Sequence, residues 1–202
     1  MSAYASTSMR CSHRAGVRRW RPRGRPGQHG DGYHWRCPVH EVLEAEGTET
    51  QTIIPGLRID HWPDSRKSRA SYLPLLELAV REDPDNDRNM HYLGREYMFY
   101  RHWGKAMETL MRHLALPTAT WDAERAASMR YIARCCEALG DTRSAVHWLI
   151  RAAEEAPTQR EAPYELTRLY YGMEQWAMCR YWAMRTLHIT ERDNNYMTDP
   201  AA

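Results

Sequence analysis

Residues 126–159 read AASMRYIARCCEALGDTRSAVHWLIRAAEEAPTQ. In the first half Ile132 and Cys136 stand four apart, and in the second Ala145, Leu149 and Ala152 recur at four and three. That spacing predicts two helices, each with one apolar face. Pro157 closes the stretch, where a residue that cannot continue a helix is expected. Ala133 in the first helix and Ala145 in the second are small enough to let the two backbones approach closely.

The same pattern recurs on both sides. With Ala133 as position 8 of a unit of about 34 residues, Ile132 falls at 7, Cys136 at 11, Ala145 at 20, Leu149 at 24, Ala152 at 27 and Pro157 at 32. In the preceding unit Leu93, Gly94, Tyr97, Ala106 and Leu110 fill positions 7, 8, 11, 20 and 24, with Pro117 one place early. In the following unit Leu166, Thr167, Tyr170, Cys179 and Ala183 fill them more loosely. Tyr72, Leu76, Ala79 and Pro84 supply the second half of a unit further upstream. Gly94 and Ala133 are 39 residues apart and Ala133 and Thr167 are 34 apart, so about five extra residues lie around Trp121.

The pattern resembles the tetratricopeptide repeat, in which each helix pair leaves an apolar face that the next pair covers. The chain is therefore expected to be all-α, a tetratricopeptide-like helix-pair solenoid over residues 68–199, with units near 87–125, 126–159 and 160–193. In such repeats, positions 2, 5, 9, 12 and 13 of the first helix face the concave surface. Position 9 is Arg95, Arg134 and Arg168, and Arg88 and Arg130 stand at positions 2 and 5 of their units. These five arginines are the candidate partner-binding residues, able to clamp carboxylates or phosphates through paired hydrogen bonds. The alternative is a self-neutralised face, with the arginines paired to Glu96, Glu137 or Glu165. Ten aromatic residues, among them Tyr92, Phe99, Tyr171 and Trp176, could form a sugar-stacking surface, but most stand at core spacings.

Residues 1–32 differ in texture. The first thirty contain seven arginines and no acid, with no helical or strand period, and are expected to be a disordered tail. Residues 33–67 carry short apolar runs broken by Gly47, Pro55 and Gly56, which predict two or three short strands or turns. The chain has a formal net charge of +2, so nucleic acid is not the favoured partner; only the arginine density of residues 10–36 speaks for it. Five cysteines, two of them adjacent, exclude a disulfide framework. No run is apolar enough for a membrane span or a secretory signal, and the expected location is cytoplasmic.

The segment YHWRCPVHEVL (33–43), followed by IDHWPD (59–64) and KSR (67–69), resembles the end of the catalytic domain in bacterial and phage family-2 glycosyltransferases that carry carboxy-terminal tetratricopeptide repeats. The resemblance continues into the helices at Tyr72–Leu76, Tyr92–Tyr97 and Trp121–Ala126. It implies that residues 33–67 are the remnant of an α/β domain. It further implies His40 as a ligand for Mn²⁺ or Mg²⁺ in the intact enzyme, and Glu41, His61, Lys67 and Arg69 as residues of the nucleotide-sugar site. Such enzymes also need a nucleotide-binding half and a catalytic carboxylate, which residues 1–32 do not resemble. The expectation is a truncated portion, inactive alone and without a cofactor of its own, whose repeats bind the acceptor or a partner protein or peptide. The alternative is a free-standing repeat adaptor that binds a peptide in its groove.

Overall fold

The computed structural model describes residues 72–190 together with five short strands upstream, and the chain divides into two compact units at Tyr72. In the first unit, β1 (Met9–His13) pairs antiparallel with both β2 (Gly16–Trp20) and β5 (Arg58–His61). A separate antiparallel pair joins β3 (Tyr33–Arg36) to β4 (Val42–Ala45). The last three strands fall where short strands or turns are expected. The first two lie within the segment read as a disordered tail, whose other residues are outside the described set.

The second unit is helical: α1 (Tyr72–Glu82), α2 (Asp87–Phe99), α3 (Trp103–Ala115), α4 (Asp122–Ala138), α5 (Thr142–Glu155), α6 (Glu161–Gly172) and α7 (Trp176–His188). Helices α2 and α3, α4 and α5, and α6 and α7 form three intimate pairs, with α3 against α4 and α5 against α6 joining them in series. The expected solenoid is the observed fold. Leu110, Met129, Ile132, Leu149 and Leu166 are fully buried along its core.

The repeat register has a direct physical cause. A methyl group added to Gly94 would lie 2.5 Å from Leu110 Cγ and 2.6 Å from its Cδ2, so position 8 of the first unit is small because position 24 fills the space. In the second unit Ala133, Ala145 and Leu149 occupy the same slots with no exposure. In the third, Thr167 and Cys179 are half-buried, and Ala183 stands where the other units have leucine.

The three turns within the pairs are built alike. The N–H of position 16 donates to the carbonyl of position 11 in each: His102 to Tyr97 at 2.8 Å, Asp141 to Cys136 at 2.9 Å, and Gln175 to Tyr170 at 3.0 Å. This closure demands a left-handed residue at position 15. Gly140 supplies it with φ +80°, whereas Arg101 and Glu174 are held at +60° and +57°. Capping is also local: Asn86 and Asp141 accept hydrogen bonds from the backbone N–H of Asn89 and Ser144, each at 3.0 Å.

The extra residues near Trp121 become one more turn at the start of α4, which has 17 residues against 13 in α2 and 12 in α6. Arg125 anchors this turn, donating to Glu155 and to the carbonyls of Leu114 and Ala119.

Three substitutions test the register, one in the destabilising direction and two in the stabilising one. Gly94→Ala should destabilise the chain, because an overpacking cost of about 1–3 kcal/mol exceeds the gain of at most about 1 kcal/mol in helix propensity. Arg101→Gly and Glu174→Gly should each stabilise by up to about 1 kcal/mol, since a left-handed non-glycine residue costs ~1–2 kcal/mol and glycine loses part of that back in chain entropy. Urea denaturation followed by circular dichroism reads both signs.

Candidate functional site

The first helices α2, α4 and α6 carry the five arginines, and cross-helix bonds show that α4 and α6 share a face. Arg130, at position 5 of its unit, is buried beside an equally buried Glu165 on α6, donating from Nε at 2.8 Å. Arg134, one turn further along, reaches the same carboxylate at 2.7 Å. Arg168 returns the exchange from α6, donating to both oxygens of Glu137 on α4 at 2.9 and 2.8 Å. The second repeat is thus tied to the third by guanidinium and carboxylate groups on the first-helix face.

Burial separates these ties. Arg130 and Glu165 have side chains 3% and 5% exposed, so each charge depends on the other for stabilisation. Arg168 is 53% exposed, and its bond to Glu137 is correspondingly weak. The self-neutralised arrangement therefore describes Arg168 and Glu137, and half of the cluster around Glu165. Two guanidinium groups converge on that one carboxylate, and Arg134 is the more exposed of them.

On α2 the arrangement differs. Arg95 lies over the Tyr92 ring, its guanidinium carbon 4.4 Å from the centroid, with Phe99 also in reach at 6.0 Å. Its buried Nε has no hydrogen-bond partner. Arg88 also approaches the Tyr92 ring, at 5.9 Å. Phe99, Tyr164 and Tyr171 are exposed on these same first helices, and sequence reading did not single out Tyr164. Of the other aromatics, Tyr92, Tyr97, Tyr170 and Trp182 are buried in the helix packing, Trp103, Tyr131 and Trp148 are partly buried, and Trp176 is exposed.

A second polar group, also missed by sequence reading, is fully internal. His91 Nδ1 is 2.7 Å from Ser128 Oγ, which is 3.0 Å from His113 Nδ1, and His113 Nε2 is 3.3 Å from Glu124 Oε1. His113 Nε2 donates to the Glu124 carboxylate, and the direction of the two bonds at Ser128 is set by the histidine tautomers. Burial first, then His113 and Arg95, hold the His91 pKa well below the ordinary histidine value. The four side chains are closed to solvent. They tie α2 and α3 to the extra turn of α4 rather than forming a reactive centre.

The residues assigned through the glycosyltransferase resemblance are placed less fully. His61 ends β5, opposite Met9 in the strand register. His40, Glu41, Lys67 and Arg69 lie outside the described residues. Among the described residues no cluster of three or more His, Cys, Asp or Glu could hold a metal ion. None of the described helices is long and apolar enough to cross a membrane. Cys135 and Cys136 are buried free thiols, and burial raises the Cys135 pKa to about 12.

No family model matches the chain, and no curated protein does. Solved structures do. A crystal structure of MamA matches with a TM-score of 0.51 and 18% identity, over 64% of this chain and 76% of that one. PilF of Pseudomonas aeruginosa matches with a TM-score of 0.52 and 13% identity, over 59% of this chain and 53% of that one. A further MamA structure gives 0.49 and 20% identity, over 58% and 61%. This chain thus spans between about half and three quarters of the solved chains. The likeness is one of fold, tetratricopeptide-like and helical.

The two inter-repeat ties should separate in mutagenesis. Glu165→Ala strands a buried guanidinium and should cost about 3–5 kcal/mol. Glu137→Ala releases an exposed arginine to water and should cost less than about 1 kcal/mol. Equal losses in chemical denaturation would mean that burial does not set their difference.

Proposed function

We propose that the chain is a protein–protein interaction adaptor whose first-helix face holds a segment of partner peptide rich in carboxylates. The observation that carries this reading is the convergence of Arg130 and Arg134 on the single carboxylate of Glu165. Arg134 is the more exposed of the two, with 36% of its side chain open, and presents its guanidinium to a ligand carboxylate. Arg95 adds a second anchoring point, its guanidinium stacked in place over Tyr92. Exposed Phe99, Tyr164 and Tyr171 add apolar surface on which a peptide side chain gains area with little loss of rotamer freedom. The helix-pair fold shared with MamA and PilF supports a binding role.

A fluorescein-labelled peptide of alternating Glu and Tyr tests the proposal by anisotropy. It should bind the full chain, with affinity falling as salt rises. Arg95→Ala and Arg134→Ala should each weaken binding by about tenfold, or ~1.4 kcal/mol, and flatten the salt dependence. Unchanged affinity and salt slope in both variants would remove the arginine face from the account.

The segment 33–69 supplies a second reading, in which the repeats belong to a family-2 glycosyltransferase and present its acceptor. It rests on the sequence resemblance alone, and the structural likenesses favour the adaptor. Under it, nucleotide-sugar and Mn²⁺ or Mg²⁺ binding belongs to the intact enzyme, with His40 at the metal and Glu41, His61, Lys67 and Arg69 near the diphosphate. Calorimetry of the full chain with a uridine-diphosphate sugar and Mn²⁺ should give no binding heat. Tight binding would show that this chain holds a complete donor site.

A further inference from the structure

The repeat register identifies a surface that the fold leaves incomplete. In the second unit, positions 21, 25 and 28 are Val146, Ile150 and Ala153, and the core of the next pair covers all three. The same positions on α7 are Arg180, Met184 and Leu187. Met184 is 47% and Leu187 65% exposed, and Arg180 is exposed as well. Beside Met184 an open cleft of about 680 Å³ is lined by Ala177, Tyr181 and Met184 of α7 and by Pro157, and Leu187 lies outside it. Arg180 and Arg185 line it, and α7 has no Asp or Glu to balance them.

We propose that α7 docks an amphipathic helix of a partner protein along this cleft, with acidic side chains facing Arg180 and Arg185. Apolar floor and cationic rim together specify that occupant: apolar residues at helical spacing with Glu or Asp beside them. A second copy meeting this face through its own α7 would set arginine against arginine with no carboxylate between. A bilayer suits the surface poorly, since it presents two arginines and no lysine around a recess rather than a convex basic cluster.

The probe is a labelled synthetic helix of about 18 residues, long enough to lie along the 13 residues of α7. Leu fills one stripe, with Glu flanking it; a counterpart carries Lys in place of Glu. The acidic helix should bind the full chain saturably, and the Lys version at least about tenfold more weakly. Met184→Glu and Tyr181→Glu should each weaken the acidic helix by about tenfold or more. Arg180→Glu combined with Arg185→Glu should reverse the preference towards the Lys helix, which loss of folding cannot imitate. Arg134→Ala should leave this binding unchanged, keeping it distinct from the first-helix face. Equal binding of the two helices, or indifference to the α7 substitutions, overturns the proposal. So does capture by phosphatidylglycerol vesicles, or a concentration-dependent dimer, that Met184→Glu abolishes while neither helix binds.

Discussion

The close approach of paired helices at a small residue governs this structure. Gly94 has no side chain because Leu110 occupies the space one would need. Ala133 and Leu149 fill the same positions in the next pair. Once the pair is closed at this contact, the turn joining its helices must be short, and the bond from position 16 to position 11 closes it in all three units. The cost appears in the backbone, where Arg101 and Glu174 adopt a conformation that suits the glycine of the middle unit. Packing therefore overrides local preference at those turns.

Fixing the pairs also fixes where polar groups meet. The first helices are brought side by side, so residues 31 and 35 positions apart in sequence share one carboxylate. The resulting ties are unequal because burial removes water from Arg130 and leaves it at Arg168. At the other junction, the extra turn of α4 carries Glu124 and Arg125 into contact with the preceding pair. There the buried His91, Ser128, His113 and Glu124 supply hydrogen bonds that an apolar contact would not direct. The insertion is thus part of the interface between units and not a loop beside it.

The helix pairs were legible in sequence because their determinants are periodic and local: small residues at positions 8 and 20, leucine at 24, proline after the second helix. The carboxylates expected to answer Arg134 and Arg168 were also legible as a set, and Glu165 and Glu137 are the ones that do so. Sequence could not show that Arg130 is buried, or that Glu165 serves two arginines, because both follow from how consecutive units stack. Nor could it show the histidine and serine chain, whose members are separated by 37, 15 and 11 residues. The left-handed residues at Arg101 and Glu174 carry no glycine to announce them. The resemblance of residues 33–69 to a glycosyltransferase is a sequence observation that the helical fold does not extend.

An adaptor reading follows from a scaffold whose faces differ in chemistry: arginine and aromatic on the first helices, apolar with a cationic rim on α7. Both depend on the register being right, since a shift of one residue would turn different side chains to each face. Methyl-resolved nuclear Overhauser spectroscopy of the full chain measures that register directly. The account predicts contacts from the Gly94 α-protons to the Leu110 methyls and from the Ala133 methyl to the Leu149 methyls, each pair sixteen residues apart in sequence. Absence of both, or contacts displaced to neighbouring residues, would contradict it.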